Sequence, residues 1–530
     1  MRGLAEVGSA SDPPRLPLSN GKAFDVENEI FLLTVVVIAG ILVGKAQKRR
    51  PGREIPEDPD DPLDRTLLHW SANDRFTFRD LLNGGICITG RSGSGKTSSS
   101  GTEIALAILM SMKSGGLILA AKPEDRHMWQ AMFDKAGRSD DLLVFGPDTP
   151  LRFNFLAYVL AMGGQTRDVT RCITVIGETL RAADTKGGES ADFWEREQER
   201  MIYNAVETVK LAEGSVSAPM IQKFINSAPT SLEQIASPQW QAGYCNQCLA
   251  KAFSKSKSAI ESHDYQLATD YWLSEFPTMA DKTRSSILTG VMGILHVFNT
   301  GVVRELVSTT TNVSPDQMIE GKWVLVDMAP AEWGDSGALI AAGWKYLVQR
   351  RILRRRAEPG DNVVVIWADE YAQFANSYDA QYLSQCRSHL GCLVVLTQSL
   401  HSYYMSMKGE SGKHQADALL TNFSTKIWHA LGDTATAEWA SGLIGKGREI
   451  FVGTSMAPRE DVYDELMGRT QVSSSASEHY EAILKPNVLM NGLRTGGRAN
   501  KLICDAIVMR SGEAFANGQN WLWREFRQGL

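Results

Sequence analysis

The stretch from Gly84 to Gly101, GGICITGRSGSGKTSSSG, constrains this chain more than any other. Ile86-Cys87-Ile88 is a short apolar run, partly β-branched, of the kind a buried strand uses. The eight residues Gly90 to Thr97 then fit G-x-x-x-x-G-K-[ST] at every position. Glycines at 90, 93 and 95 let the backbone curl so that successive N–H groups aim at one anion. Thr102 to Met112 is a good helix former, so a helix N-terminus would face the same point. A Gly/Ser-rich turn without a ligand explains the glycines, but not the order of strand, loop and helix. The phosphate-binding set is therefore Gly90, Ser92, Gly93, Ser94, Gly95, Lys96, Thr97 and Ser98. Lys96 would reach the β and γ phosphates of a nucleotide, and the Thr97 hydroxyl would ligate Mg²⁺.

Such a loop needs an acidic partner for the metal and a group that activates water. The run Asn362-Val-Val-Val-Ile-Trp-Ala-Asp-Glu-Tyr371 supplies both. A buried strand ends in Asp369, placed for Mg²⁺, and Glu370, placed to polarise the attacking water. Taken alone, two carboxylates after an apolar run also fit an ordinary strand end. A second buried run, Gly391 to Thr397, ends in Gln398, a candidate sensor of the γ-phosphate. Arg387 lies between Glu370 and Gln398, on the helix expected there, and also fits a plain exposed residue at a helix end.

A chain of 530 residues exceeds one ordinary core, so two or more structural units are expected. The net charge of −6 announces no global basic field, so any nucleic-acid site must be local. The seven cysteines suggest no disulfide framework. Cys245-Asn-Gln-Cys248 is a C-x-x-C without a second pair, and His263 is poorly spaced to be a third zinc ligand.

Ile30 to Gly44 is a run of 15 residues without a charge. It is shorter than the roughly 18 to 20 residues a spanning helix uses, though Lys45 can snorkel and extend it. A buried core helix is the alternative. Lys45, Lys48, Arg49, Arg50 and Arg53 follow at once, which predicts a single-pass span with its C-terminal side in the cytoplasm. The chain then divides into a tail over 1–29, a transmembrane helix over 30–44 and a linker over 45–64, first basic, then acidic and Pro-rich. The first part of a nucleotide-binding domain spans 65–159, an all-α domain 160–300 and the second part 301–530. Strands are expected at Ile86–Thr89, Gly116–Ala120, Leu142–Phe145, Trp323–Val326, Val363–Trp367, Cys392–Leu396 and Ile503–Val508. Helical patterns separate most of them, which implies α/β architecture with a parallel sheet. Helices are expected over 193–211 and 283–298, and Ser473–Ser477 reads as a mobile loop.

At these residues the chain resembles the coupling ATPases of type IV secretion and conjugation, TraG/TraD-like members of the FtsK/HerA superfamily. The resemblance covers roughly residues 67–515. It rests on the order of an N-terminal anchor, the phosphate loop, an all-helical insertion opened by Phe193-Trp194-Glu195, DEYAQF (Asp369 to Phe374), TQS (Thr397 to Ser399) and a closing segment from Asn422 to Gly445. Lys122-Pro-Glu-Asp125 falls where the family has its KGE-like turn. The resemblance implies a RecA-like P-loop domain with an inserted all-α domain, assembled as a homo-hexamer with ATP between subunits. Arg387 matches the position of the arginine that completes the neighbour's site, which implies Glu370, Arg387 and Gln398 as the catalytic set. It further implies an inner-membrane pump that links DNA, with a relaxase or an effector protein, to a type IV secretion channel. Two departures are one span where members commonly have two, and a C-terminal segment, Trp521 to Arg527, without an acidic recognition tail.

DNA, single- or double-stranded, would be held without sequence preference. Lys251, Lys255 and Lys257 beside Phe253, and the cluster Arg350, Arg351, Arg354, Arg355 and Arg356, are candidate phosphate contacts. Such charges are more often a solvated face, and a subunit interface explains the arginine cluster as well as DNA contact does. The alternative function is an intracellular DNA pump of the FtsK/HerA type that needs no channel. A nucleotide-gated membrane scaffold is a third reading, and Glu370 argues against it.

Overall fold

The structure is a computed structural model that describes residues 61–179, 189–255, 257–407, 412–458 and 470–529. The span expected at Ile30–Gly44 lies outside the described residues, as does the linker as far as residue 60. Among the described residues, no single helix is long and apolar enough to cross a membrane.

Strand β1 is Thr66–Ser71, β2 Asp74–Thr77, β3 Ile86–Thr89, β4 Ser114–Leu119, β5 Leu142–Phe145, β6 Trp323–Val326 and β7 Val363–Ala368. Then come β8 Gly391–Thr397, β9 Thr425–Trp428, β10 Lys446–Pro458, β11 Thr470–Ala482, β12 Ile503–Arg510 and β13 Trp521–Arg527. Nine of them make one sheet in the order β13-β12-β9-β3-β8-β7-β4-β6-β5. Every residue of β3, β4, β6, β7 and β8 is buried. That fits strands covered on both faces, where apolar runs need not alternate with polar residues. Alternate side chains of β3 feed two separate cores: Cys87 joins one, and Ile86 and Ile88 join the other.

The seven expected strands are all present, with ends shifted by no more than two residues. The sheet is mixed where a parallel one was expected, because β12 runs antiparallel to both β9 and β13. Two members of that end were not anticipated. Strand β9 hides behind the buried Lys426, whose ammonium donates to the Phe423 carbonyl. Strand β13 alternates buried and exposed residues at the sheet edge, and its arginines masked it.

The Ser-rich segment is a second correction. Ser473–Ser477 lies inside β11 and is not a loop. Strands β10 and β11 form an antiparallel ribbon in continuous register from Lys446↔Ala482 to Pro458↔Thr470. The facing strand pairs with the segment along its whole length, which outweighs the weak strand preference of serine.

Between β5 and β6 every regular element among the described residues is helical, from Phe155–Ala161 to Asp316–Ile319. The helix Glu189–Glu213 buries Met201, Ile202, Ala205 and Val209 on one face. The helix Asp281–Asn299 buries Ile287, Val291, Ile294, Leu295 and Phe298. Both faces join the core that covers one side of the sheet. Cys245 and Cys248 are buried thiols in the helix Tyr244–Ser254, and burial raises both above the ordinary range. No cluster of three possible metal ligands occurs among the described residues.

Candidate active site

The site forms at the carboxyl ends of β3, β7 and β8, which are neighbours in the sheet. The loop after β3 turns through left-handed glycines, Gly93 at φ 73° and Gly95 at φ 88°. A side chain at Gly95 would place its Cβ 2.2 Å from Cys504 Sγ, so β12 presses against the loop where only glycine fits. The chain then enters a π-wound turn, Thr97–Gly101, that runs on into the helix Thr102–Met110. Ser99 and Ser100 tie that turn back to the loop, donating to the carbonyls of Gly95 at 2.7 Å and Lys96 at 3.3 Å.

Three strands deliver the reactive side chains. Thr97 Oγ1 donates to Asp369 Oδ2 at 2.7 Å. Lys96 is buried, and its Nζ lies 3.4 Å from Glu370 Oε1. Gln398 Nε2 donates to the same oxygen at 3.0 Å. Glu370 itself sits in a left-handed conformation, φ 46°, unusual for a residue other than glycine. Such a backbone costs on the order of 1–3 kcal/mol and persists where its surroundings over-determine it. Those surroundings include a buried network just beyond: Asp379 accepts from Lys345 at 2.5 Å, Tyr371 at 2.5 Å and Gln349 at 2.8 Å. It also accepts the backbone N–H of Asn376 at 2.9 Å. Burial pushes the Lys345 ammonium below its ordinary range, and Asp379 opposes that shift.

The loop suits a phosphate chain and a cation. Ser94 Oγ is buried inside it without a hydrogen-bond partner. Such orphans are rare and expensive, and a bound acceptor would relieve this one. Lys96 has only a long contact to a carboxylate, leaving donors for phosphate oxygens. The Thr97 hydroxyl and Asp369 carboxylate, already in contact, are hard oxygen donors of the kind Mg²⁺ takes.

Arg387 is elsewhere. It belongs to the 3-10 turn Cys386–His389, before the amino end of β8, where a helix was expected. Strand β8 spans seven residues, so its two ends are about 20 Å apart. Arg387 therefore lies across the sheet from its own phosphate loop. It is exposed, donates to Asn83 Oδ1 at 3.2 Å, and lines an open hollow of about 540 Å³ with Arg79, Gln385 and His389.

Several residues of the site were missed in the sequence. Asp125, buried, accepts the N–H groups of Ala121 at 2.8 Å and Lys122 at 3.0 Å and fixes the turn after β4. Burial raises its carboxyl above the ordinary range, and the nearby Asp369 charge adds to the shift. His429, fully buried after β9, bonds Ser100 Oγ through Nε2 at 2.7 Å. Gln528 donates to Ser98 Oγ at 2.8 Å. Asp125 lies in the Lys122–Asp125 turn and His429 in the closing segment from Asn422 to Gly445, each without a role that the sequence suggested, and Gln528 falls in no motif.

Residues 363–491 match the family model described as the TraM recognition site of TraD and TraG. No curated protein matches the chain. Among solved structures, the bacterial conjugative coupling protein TrwBdeltaN70 in its unbound monoclinic form shares 16% identity. That match covers 86% of this chain and 87% of the other, at a TM-score of 0.55. The plasmid coupling protein TrwB in complex with the ATP analogue ADPNP matches at 16% identity over 88% and 92%, TM-score 0.53. The same protein in complex with ADP and Mg²⁺ matches at 15% over 87% and 89%, TM-score 0.51. At such identities the likeness is one of fold. The family segment begins with β7, and so carries Asp369, Glu370 and Gln398. Residues 363–491 are thus similar to the TraD and TraG segment, and the chain as a whole has the fold of a conjugative coupling protein.

Proposed function

We propose that the chain is a membrane-anchored ATPase that drives DNA, with an attached relaxase or effector protein, toward a type IV secretion or conjugation channel. The observation that carries the ATPase part is the meeting of Lys96, Thr97, Asp369, Glu370 and Gln398 at one end of three adjacent strands. The family match and the coupling-protein fold support the transfer part.

In this reading the loop's N–H groups and Lys96 hold the phosphates, and Thr97 with Asp369 holds Mg²⁺. The ion supplies charge neutralisation at the β and γ phosphates. Glu370 accepts the proton of the attacking water, and Gln398 holds that carboxylate in place until the γ-phosphate arrives. Arg387 completes the neighbour's site in a homo-hexamer, since it lies too far from its own. Residues 30–44 hold the ring at the inner membrane with the ATPase body in the cytoplasm.

The test is ATP hydrolysis by a truncated chain beginning at Asp64, with and without single- and double-stranded DNA. DNA should stimulate the rate, and Lys96→Ala should abolish it with the melting temperature unchanged. Hydrolysis indifferent to Lys96→Ala would remove the site. Hydrolysis indifferent to DNA would remove the pump. The full chain should resist carbonate extraction from membranes, and its release would remove the anchor.

A further inference from the structure

A nucleotide on the Gly90–Thr97 loop has a direction. Glu370 and Gln398 mark its hydrolysed end, and they stand on β7 and β8, to one side of β3. On the other side lie β9, β12 and β13. Lys96 serves the β and γ phosphates, and the N–H groups that follow serve the α end. The nucleoside therefore leaves past Ser98, away from Glu370, toward the residues after β13.

Those residues are built onto the loop. Gln528 Nε2 donates to Ser98 Oγ at 2.8 Å, and the Gly529 N–H donates to the Ser98 carbonyl at 3.2 Å. Gln528 Oε1 accepts the Gly497 N–H at 2.6 Å. Gly496 and Gly497 are both left-handed, at φ 78° and 75°. A Cβ at Gly496 would lie 2.2 Å from Gln528 Oε1 and 2.7 Å from Cys504 Sγ, the sulfur that also fits against Gly95. Phosphate loop, glycine turn and Gln528 thus meet around one sulfur, with no room for a side chain at Gly95 or Gly496. Ser98 and Gly497 remain exposed. The Gln528 amide keeps one N–H and one lone pair beyond the bonds it makes.

We propose that Gln528 and the Gly496–Gly497 turn form the nucleoside wall of the site, against which the ribose and base of a nucleoside triphosphate such as ATP lie. The free N–H and lone pair of Gln528 supply its polar contact. This rests on the nucleotide reading above, and extends it from the phosphates to the part of the ligand that tells one nucleotide from another.

The experiment compares two probes on the full chain, ATP and inorganic tripolyphosphate, which has the phosphates and no nucleoside. Wild type should bind ATP more tightly. Gln528→Ala should weaken ATP about tenfold, the worth of one good hydrogen bond, and leave tripolyphosphate unchanged. Lys96→Ala should weaken both. Gln528→Met, which keeps length and bulk, gives the same ratio should the alanine variant fail to fold. Equal losses of both probes would make Gln528 a prop of the phosphate loop and overturn the wall. So would a Gln528→Ala protein that binds ATP as wild type does. A wild type that binds tripolyphosphate as tightly as ATP overturns the wall alone; one that binds neither removes the nucleotide reading with it.

Discussion

At the carboxyl ends of β7 and β8, Asp369, Glu370 and Gln398 are each hydrogen-bonded to another member of the site. Before the amino end of β8, Arg387 points into an open hollow and donates to Asn83. One end of the strands is assembled within a single chain, down to the buried Asp379 network that holds the segment after Glu370. The other presents a guanidinium that its own phosphate loop cannot use. In the proposed assembly, the first end is a nearly complete site that depends on folding alone, and the second supplies the charge that a neighbour's site lacks.

The largest effect should come from the exposed end. In related NTPases an arginine supplied by a neighbour is worth roughly 10³–10⁵ in rate. Arg387→Ala should bind ATP and lose that factor in hydrolysis, with its melting temperature unchanged because the side chain is exposed. Mixed with Lys96→Ala, it should regain part of the rate. A site that takes its loop from the Arg387→Ala chain and its arginine from the Lys96→Ala chain is whole. A mixture as inactive as its parents, under conditions where wild-type chains assemble, would erase the difference between the two ends.

At the assembled end, Glu370→Gln should keep ATP bound and slow hydrolysis about 10²–10⁴-fold, because an amide cannot take a proton from water as a carboxylate does. Mixing with Lys96→Ala should restore nothing at the Glu370→Gln site, since loop and carboxylate come from one chain. That contrast with Arg387 is the sharpest form of the comparison. ATP affinity falling along with rate would make Glu370 a structural residue.

What could be read in advance follows the same division. The phosphate loop and the strands ending in Asp369 and Gln398 are local patterns, each complete within a dozen residues. The β9, β12 and β13 end of the sheet is assembled by pairing across distance, so β9 with its buried lysine and β13 with its arginines escaped notice. The serines of β11 are a strand only because β10 faces them. Gln528 reaches Ser98 across 430 positions, and no spacing rule anticipates that.

The smallest predicted effect probes the assembled end from beneath. His429 is fully buried against Ser100, and burial pushes its imidazole down to about 4, with the Lys96 ammonium adding to the shift. The unfolded chain binds a proton at this residue below about pH 6.5, and the folded chain does not until about pH 4. Protons therefore favour the unfolded state in that window. The stability that neutral His429 permits is intact above about pH 6.5, falls as the pH drops toward 4, and then levels off. The loss over the whole window is about 3 kcal/mol at 1.36 kcal/mol per unit. A His429→Gln chain keeps a side chain able to meet Ser100 and has nothing to titrate. Denaturation at pH 7.5, 6 and 5 should show wild type losing stability faster than His429→Gln as the pH falls. The gap between them should be about 1–2 kcal/mol larger at pH 5 than at pH 7.5. Parallel curves would mean that His429 takes up its proton without cost, and that the floor of the phosphate loop opens to water before the rest of the fold does.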